Sequence, residues 1–417
     1  MFRNHDIIML SSSRWDDDFS SSALSLAKEF AKHNRVFYID HPLSVKDFLS
    51  VKNRRIIKAR RTALLLGKNS FKNIKDFPPG FTAVTPMLTI PANWLSEGKL
   101  YDFLSNVNDK ILHQTLRKTI KKYRIKNYIF INIFDPFFFK SFPNDLKPAL
   151  TIYQTVDDIS QEKYIARHGV YLERKAIVKA DFSFATSREL LRLTSAFSNR
   201  VHYLPNAADN TIFKKAVNMV FAKPVELRNV TGKVICYTGV IGTRINYELL
   251  KEIAVTHINK TLLLVGPTGT DDYRKAGLHN CKNVVFTGPK NIHELPAYLQ
   301  HADVAIIPFE YSQLTKSIYP LKINEYLAAG KPVVSTAFSD DIKTFRDVAY
   351  IADTNKEFIE YIDVAIQENT VEKRMARTRK AETNTWKNRV ETFWNIIEAE
   401  SDVNVAEVTP ISIREFS

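Results

Sequence analysis

Short apolar runs alternate with longer stretches of helical periodicity along most of the chain. In the first half, residues 7–10, 35–40, 128–132, 150–154, 181–186 and 201–204 each read as a strand. The intervening segments read as helices. One runs over about 20–34 with Leu24, Leu26, Ala27 and Phe30 inward, and a long one starts near Leu100. One contains Glu173, and one covers 187–197. Strand, helix and strand at this spacing make βαβ units and a parallel sheet. A turn at 204–209 and a polar stretch to Thr231 read as a boundary, after which the pattern restarts. Strands are expected at 234–238, 261–265, 284–286, 304–309, 332–336 and 348–352, with helices at 246–257, 293–301 and 356–368. The pattern predicts an α/β chain built from two successive βα series.

The most informative stretch is 303–336. An apolar strand leads through a polar loop to Pro320, which suits a first helical turn because its missing N–H costs nothing there. Leu321, Ile323, Tyr326 and Leu327 form an apolar stripe, Gly330 ends the helix and Pro332 prevents its return. Residues 317–321 place free backbone N–H groups and the positive helix end at one spot, which suits a phosphate. Lys322 in the first turn is unfavourable against the helix dipole unless an anion sits nearby. Glu325, one turn further in, is placed to accept hydrogen bonds from a ribose beside that phosphate. The plain alternative is a solvated lysine–glutamate pair on an ordinary helix.

The run Pro320-Leu321-Lys322-Ile323-Asn324-Glu325-Tyr326-Leu327-Ala328-Ala329-Gly330-Lys331-Pro332-Val333-Val334 resembles the donor-binding signature of GT-B glycosyltransferases. It is most similar to the GT4-like (glycosyl transferases group 1) enzymes of bacterial polysaccharide and teichuronic-acid type. The resemblance implies two Rossmann-like domains with parallel sheets facing a cleft, and a C-terminal helix crossing back to the first domain. The expected divisions are an acceptor-binding domain over 1–205, a linker over 206–231 and a nucleotide-sugar-binding domain over 232–385. A docking helix over 386–400, with Trp386, Val390, Phe393 and Ile397 as its apolar stripe, and a tail over 401–417 complete them. Glu325 matches the family's ribose-binding glutamate. Eight positions earlier, where the family often has a sugar-binding glutamate, this chain has Ser317. Leu321 and Lys322 fall at the phosphate end of the same helix. The family's glycine loop with a nearby basic residue is matched loosely by Gly239 and Arg244. Gly239 and Gly242 let backbone approach a ligand, and Arg244 can clamp a diphosphate.

Three aspartates at expected strand ends are candidate catalytic or sugar-orienting groups, because ligands of parallel sheets bind at carboxyl ends. Asp16 lies in the loop after the first strand, Asp135 opens Asp135-Pro136 after the strand at 128–132, and Asp158 follows Val156-Asp157. Helix capping by the residues around Asp16 or by Asp158, and a turn at Asp135-Pro136, are the competing explanations.

Charge changes the picture. A net +14 over 417 residues points to an acidic partner such as a phosphorylated substrate, an anionic membrane surface or nucleic acid. Residues 51–61 concentrate Lys52, Arg54, Arg55, Lys58, Arg60 and Arg61 around Ile56 and Ile57. That segment is a candidate contact with anionic lipid or a lipid diphosphate, or simply a solvated helix face. Isoleucine where stacking aromatics would stand weighs against nucleic acid. Two unpartnered cysteines, no membrane-length apolar run and no cleavable leader pattern predict a cytoplasmic protein, at most peripheral to the inner face of the membrane. Scattered histidines, and no Asp-x-Asp pattern of the kind associated with metal-bound nucleotide sugars, predict neither metal nor cofactor. No phosphate-binding loop of the NTPases appears.

The expected activity, implied by the resemblance, is transfer of a sugar with retention from a nucleoside-diphosphate sugar to a surface-glycan or lipid-linked acceptor. A GT-B nucleotide-sugar epimerase is the alternative chemistry and would need a carboxylate–histidine set. A basic nucleic-acid-binding protein is the alternative of another class.

Overall fold

The computed structural model describes residues 4–16, 21–50 and 54–400. The chain forms two compact units: one runs to Leu204 and resumes at Val390, and the other is Pro205–Arg389.

The strands of the first unit are β1 (Asp6–Ser11), β2 (Arg35–Ile39), β3 (Phe71–Asn73), β4 (Phe81–Val84), β5 (Ile129–Ile133), β6 (Leu150–Thr155), β7 (Phe182–Ala185) and β8 (Val201–Tyr203). They lie in the order β3-β4-β2-β1-β5-β6-β7-β8, and only β3 pairs antiparallel. Ile7 is in register with Val36 on one side and Ile129 on the other. Every residue of β1 is buried, as expected of a central strand covered on both faces. Ile8, Leu10, Phe37, Ile39, Val84 and Phe130 pack against Leu112 and Leu116 of the Lys99–Tyr123 helix.

The strands of the second unit are β9 (Val234–Thr238), β10 (Thr261–Val265), β11 (Val284–Gly288), β12 (Val304–Ile307), β13 (Val333–Thr336) and β14 (Tyr350–Ala352). Their order is β11-β10-β9-β12-β13-β14, all parallel. In each sheet the order of winding reverses beside the first strand, between β1 and β5 and between β9 and β12. Such reversals open crevices at the strands' carboxyl ends.

The last helix, Trp386–Glu400, buries Val390, Phe393, Trp394 and Ile397. Phe393 stacks on Phe184 at 4.6 Å and meets Phe30 at 5.1 Å, so the helix's end belongs to the first unit's core. Trp394 replaces the expected Trp386 as the tryptophan inside.

Several details differ from the sequence expectation. Residues 206–231 are not strung out as a linker. They form helices Asn210–Phe213 and Lys215–Asn218 and a turn at Val225–Leu227, with Phe213, Ala216 and Leu227 buried in the second unit's core. Their apolar residues are too widely spaced for periodicity to reveal. The first helix is Ser22–Phe30 and stops before Asn34. Asn34 donates its amide to the Phe30 carbonyl at 3.0 Å and accepts from the His5 N–H at 3.1 Å, closing the helix and opening the strand. Strands β3 and β4 were not anticipated: each is short, and Pro78-Pro79-Gly80 directly before β4 reads locally as loop. The expected tail at 401–417 lies outside the described residues, as do Asp17, Asp18 and Lys52.

Candidate functional site

The stretch singled out from sequence lies at the switch point of the second sheet. Strand β12 leaves through a loop and the short Gln313–Lys316 helix, and Ser317 caps that helix at its C-terminus. The chain then enters the Leu321–Ala328 helix with Pro320, one position earlier than expected, as N-cap and no side chain capping the first turn. The first N–H groups of this helix are therefore left for another partner. At the other end Gly330, at φ +67°, takes the left-handed turn that Gly allows, and Arg377 Nε donates to its carbonyl at 3.2 Å.

Tyr326 ties this helix to β9. Its hydroxyl accepts from the Thr238 N–H at 2.9 Å, inside the core. That bond sets the helix start beside Gly239, whose φ is +129°. Lys322 lies directly on Gly239 and faces the Tyr237 ring at 5.6 Å. Gly239 donates its N–H to the Val265 carbonyl at 2.8 Å, and a β-carbon on Gly266 would come within 2.1 Å of the Gly239 carbonyl oxygen. The two glycine loops are thus packed backbone to backbone.

Lys322 and Glu325 are both partly exposed, and neither has a hydrogen-bond or ion-pair partner among the described residues. Burial, reinforced by the positive charge of Arg244, holds the Lys322 ammonium below the usual lysine range against the pull of Glu325. Burial likewise raises Glu325, opposed by Lys322. Arg244 also bears electrostatically on Tyr237, and its carbonyl accepts from the Glu310 N–H at 2.9 Å. A cation beside a helix N-terminus costs ~0.3–1 kcal/mol, and this site sets two cations around one uncapped start. Gly239, Arg244, Leu321, Lys322 and Glu325 therefore share one locality. Ser317 is fully buried, and its hydroxyl donates to the Gln313 carbonyl at 3.1 Å, so its donor is already used.

The three aspartates all sit in the first unit. Asp16 places Oδ2 2.7 Å from Arg60. Arg60 also holds Asp40 at 2.7 Å, a buried carboxylate at the end of β2 that sequence reasoning passed over. Burial pushes Asp40 up to about 7, against the pull of Arg60. Arg60 is thus turned inward, unlike Arg54, Arg55, Lys58 and Arg61, which are exposed on the Arg54–Leu66 helix. Asp135 is buried beyond the end of β5 and binds His41 Nδ1 at 2.8 Å. Nothing in the sequence joins this pair except that each residue lies two positions past a strand end. Asp158 accepts from the Ser160 N–H at 3.0 Å and caps the turn at Ile159–Gln161, so the capping explanation describes what its side chain does here. Glu173 is the buried carboxylate beside it, accepting from the Tyr153 hydroxyl at 3.1 Å.

Among the described residues no three His, Cys, Asp or Glu side chains gather as a metal site, and no helix is long and apolar enough to cross a membrane.

Two Rossmann-like units, each with its switch point, define the GT-B class of folds, and solved structures of that class match nearly the whole chain. Sucrose-phosphate synthase from Thermosynechococcus elongatus is similar at a TM-score of 0.64 and 14% identity, covering 95% of this chain and 98% of that one. Alr3699/HepE from Anabaena, solved with UDP and glucose, matches at a TM-score of 0.59 and 12% identity over 96% and 100%. At that identity the likeness carries the fold alone. Residues 232–367, a segment that contains Lys322 and Glu325, match the family described as glycosyl transferases group 1. A Bacillus subtilis (strain 168) protein named as a teichuronic acid biosynthesis glycosyltransferase, TuaH, is 30% identical over 183 residues. That match spans 43% of this chain and 46% of the relative.

Proposed function

We propose that this chain transfers a sugar from a nucleoside-diphosphate sugar to a surface-glycan or lipid-linked acceptor. One observation carries the reading. An uncapped helix start bears Lys322, stationed on Gly239, while Glu325 waits one turn on, and neither side chain has a hydrogen-bond or ion-pair partner among the described residues. A diphosphate accepts from the free N–H groups and offsets the charges of Lys322 and Arg244. Glu325 accepts from the ribose hydroxyls. As the sugar departs, negative charge grows on the diphosphate, and donors already aimed at it stabilise that charge without reorganising. The solved complex of HepE with UDP and glucose supports a uridine nucleotide as the first donor to try. Retention of anomeric configuration is the expected stereochemistry.

The name of the B. subtilis relative supports an envelope glycan as the acceptor class. The Arg54–Leu66 helix supports a peripheral membrane contact, since exposed Arg54, Arg55, Lys58 and Arg61 accompany Leu65 and Leu66 at 41% and 62% exposure. Equal partition to neutral and anionic vesicles at low salt would remove that part.

The experiment is a thermal-shift screen against UDP-, GDP- and dTDP-sugars. One class stabilises the wild type by mass action. Lys322→Ala and Glu325→Ala each weaken that donor by roughly 10- to 100-fold, as expected for losing hydrogen bonds to charged groups. Undiminished stabilisation in both variants would sink the donor site. Epimerisation remains the second chemistry, because His41 and Asp135 are a carboxylate–histidine set. An epimerised nucleotide sugar, formed without acceptor, would select it.

A further inference from the structure

A cavity of about 1250 Å³ lies wholly within the first unit. It exceeds the roughly 300–1,000 Å³ of a site for a drug-sized ligand. Its floor is one face of the sheet, carrying Phe130 and Asn132 of β5 in register with Thr151 and Tyr153 of β6. Its walls are the Lys99–Tyr123 helix, through Tyr101 and Ser105, and the Lys163–Lys179 helix, through His168 and Leu172. Phe138, Phe139 and Phe142, between β5 and β6, complete the lining.

The polar groups of this lining are engaged by the protein itself. Asn132 accepts from the Asp135 N–H at 3.1 Å and donates to its carbonyl at 2.9 Å. Tyr153 donates to Glu173 at 3.1 Å, and Ser105 accepts from Lys140 at 2.6 Å. His168 Nε2 bonds the Leu95 carbonyl at 2.9 Å, and its ring stacks on Tyr101 at 3.7 Å. The Tyr101 hydroxyl, near Ser105, is an exception, buried without a hydrogen bond. A buried saccharide needs partners for most of its hydroxyls, whereas an alkyl chain needs only apolar faces.

One end of the cavity is cationic. Lys147 precedes β6, and Lys179 ends the helix that leads to β7, so both stand at the strands' amino ends. Lys179 Nζ donates to the Lys140 carbonyl at 2.9 Å, which brings a third lysine close. Lys175, one turn before Lys179, lies over the Tyr171 ring at 4.2 Å. Neither Lys147 nor Lys175 has a hydrogen-bond or ion-pair partner among the described residues. A helix C-terminus attracts lysines for its own sake, but Lys140 and Lys147 come from the segment between β5 and β6. Asp181, the carboxylate at this end, already accepts from the Thr151 N–H at 2.8 Å and hydroxyl at 2.7 Å.

The wall beside this end is open to the surface. Tyr164, Tyr171 and Val178 recur at heptad spacing on the Lys163–Lys179 helix, at 65%, 56% and 59% exposure. Arg167, Arg174 and Lys175 are exposed among them. Aromatic rings among basic groups match the headgroup level of an anionic bilayer. Gly67, which follows the basic Arg54–Leu66 helix, packs on Lys118 of the Lys99–Tyr123 helix, so that helix joins the two basic surfaces.

We propose that this cavity takes the acyl chain of an anionic phospholipid, with the lysines on its phosphate. The cations fix the direction: the phosphate stays at the strands' amino ends, and the chain runs between the two helices toward Asn132. That direction argues against a polyprenyl-phosphate acceptor. Its reacting head would be held at the end opposite the crevice where ligands of a parallel sheet bind. A membrane lipid has no reacting head to deliver, and holding one seats the first unit on the bilayer. The proposal is independent of the donor-site reading.

The test is isothermal titration of the full chain with lauroyl lysophosphatidylglycerol below its micelle concentration. One molecule binds per chain. Lauroyl lysophosphatidylcholine, which lacks the net charge, and glycerol 3-phosphate, which lacks the chain, each bind more weakly by roughly tenfold or more. Lys147→Glu combined with Lys179→Glu weakens the lysolipid by roughly 10- to 100-fold. Ala176→Trp fills the cavity that Ala176 lines and weakens it by roughly tenfold or more at unchanged charge. Lys356→Glu, on the second unit, leaves the affinity as it was. Thermal melts matching the wild type show that the variants are folded. No saturable binding by the wild type, equal affinity for the choline lysolipid, or undiminished affinity in folded Ala176→Trp overturns the proposal. Farnesyl phosphate bound more tightly than the lysolipid overturns it in favour of a polyprenyl carrier. Failure of every nucleotide sugar to stabilise the wild type bears on the donor site and leaves this proposal standing.

Discussion

Lys322 and Gly239 are fitted to one another: a β-carbon on Gly239 would lie 2.5 Å from both Cε and Nζ of Lys322. The lysine occupies the space that glycine leaves open. Gly239→Ala therefore meets two penalties, strain at φ +129° and displacement of the ammonium. The strain costs on the order of 1–3 kcal/mol. The displacement shows separately, as a donor affinity reduced about as far as in Lys322→Ala. Isothermal titration against the stabilising nucleotide sugar, beside a denaturant melt, reads both effects. Full donor affinity in Gly239→Ala would show that the contact is incidental.

Glu173 makes the first unit sensitive to pH. Burial pushes its carboxyl up to about 7, with Asp158 and Asp157 adding to the rise and the Thr155 and Tyr153 hydroxyls opposing it. A folded value above the unfolded one means its contribution is whole below pH ~4.5 and is lost as pH climbs through ~7. Glu173→Gln removes that loss. The variant matches the wild type near pH 4 and exceeds it at pH 8 by on the order of 3 kcal/mol. Urea melts at the two pH values check this, and a stability difference independent of pH would count against it.

Phe393 is the main anchor of the last helix. It is 1% exposed, stacks on Phe184 and meets Phe30 and Trp394 edge-on. Phe393→Ala removes those contacts and leaves a cavity, at a cost of roughly 3–5 kcal/mol. Exchange of backbone amides in the Trp386–Glu400 helix should then accelerate before that in the second unit. Protection unchanged throughout that helix would contradict the anchoring role.

Most strands and the Leu321–Ala328 helix were legible because their signals are local. A buried parallel strand is a short apolar run, and a helix that ends at Gly330 before Pro332 is punctuated by residues with few conformational options. Strands β3 and β4 carried no such signal, and the residues of 206–231 gained their place only by packing into the second core. Lys322 and Glu325 were visible as candidates because one helical turn joins them. His41 was not, since 94 residues separate it from Asp135 and a histidine after a strand has no distinguishing pattern.

The amino-acid order by itself determined the alternation of strand and helix, the two successive βα series and the lysine-bearing start of one helix after Pro320. These follow from side-chain period, from proline and glycine, and from charges spaced along a single element. Only the tertiary structure decided which strands neighbour one another, that Arg60 turns inward to two aspartates, that Lys322 lies on Gly239, and that Asp135 holds His41. Those contacts join distant parts of the chain across strand ends, and no local propensity encodes a distance that sheet assembly alone creates.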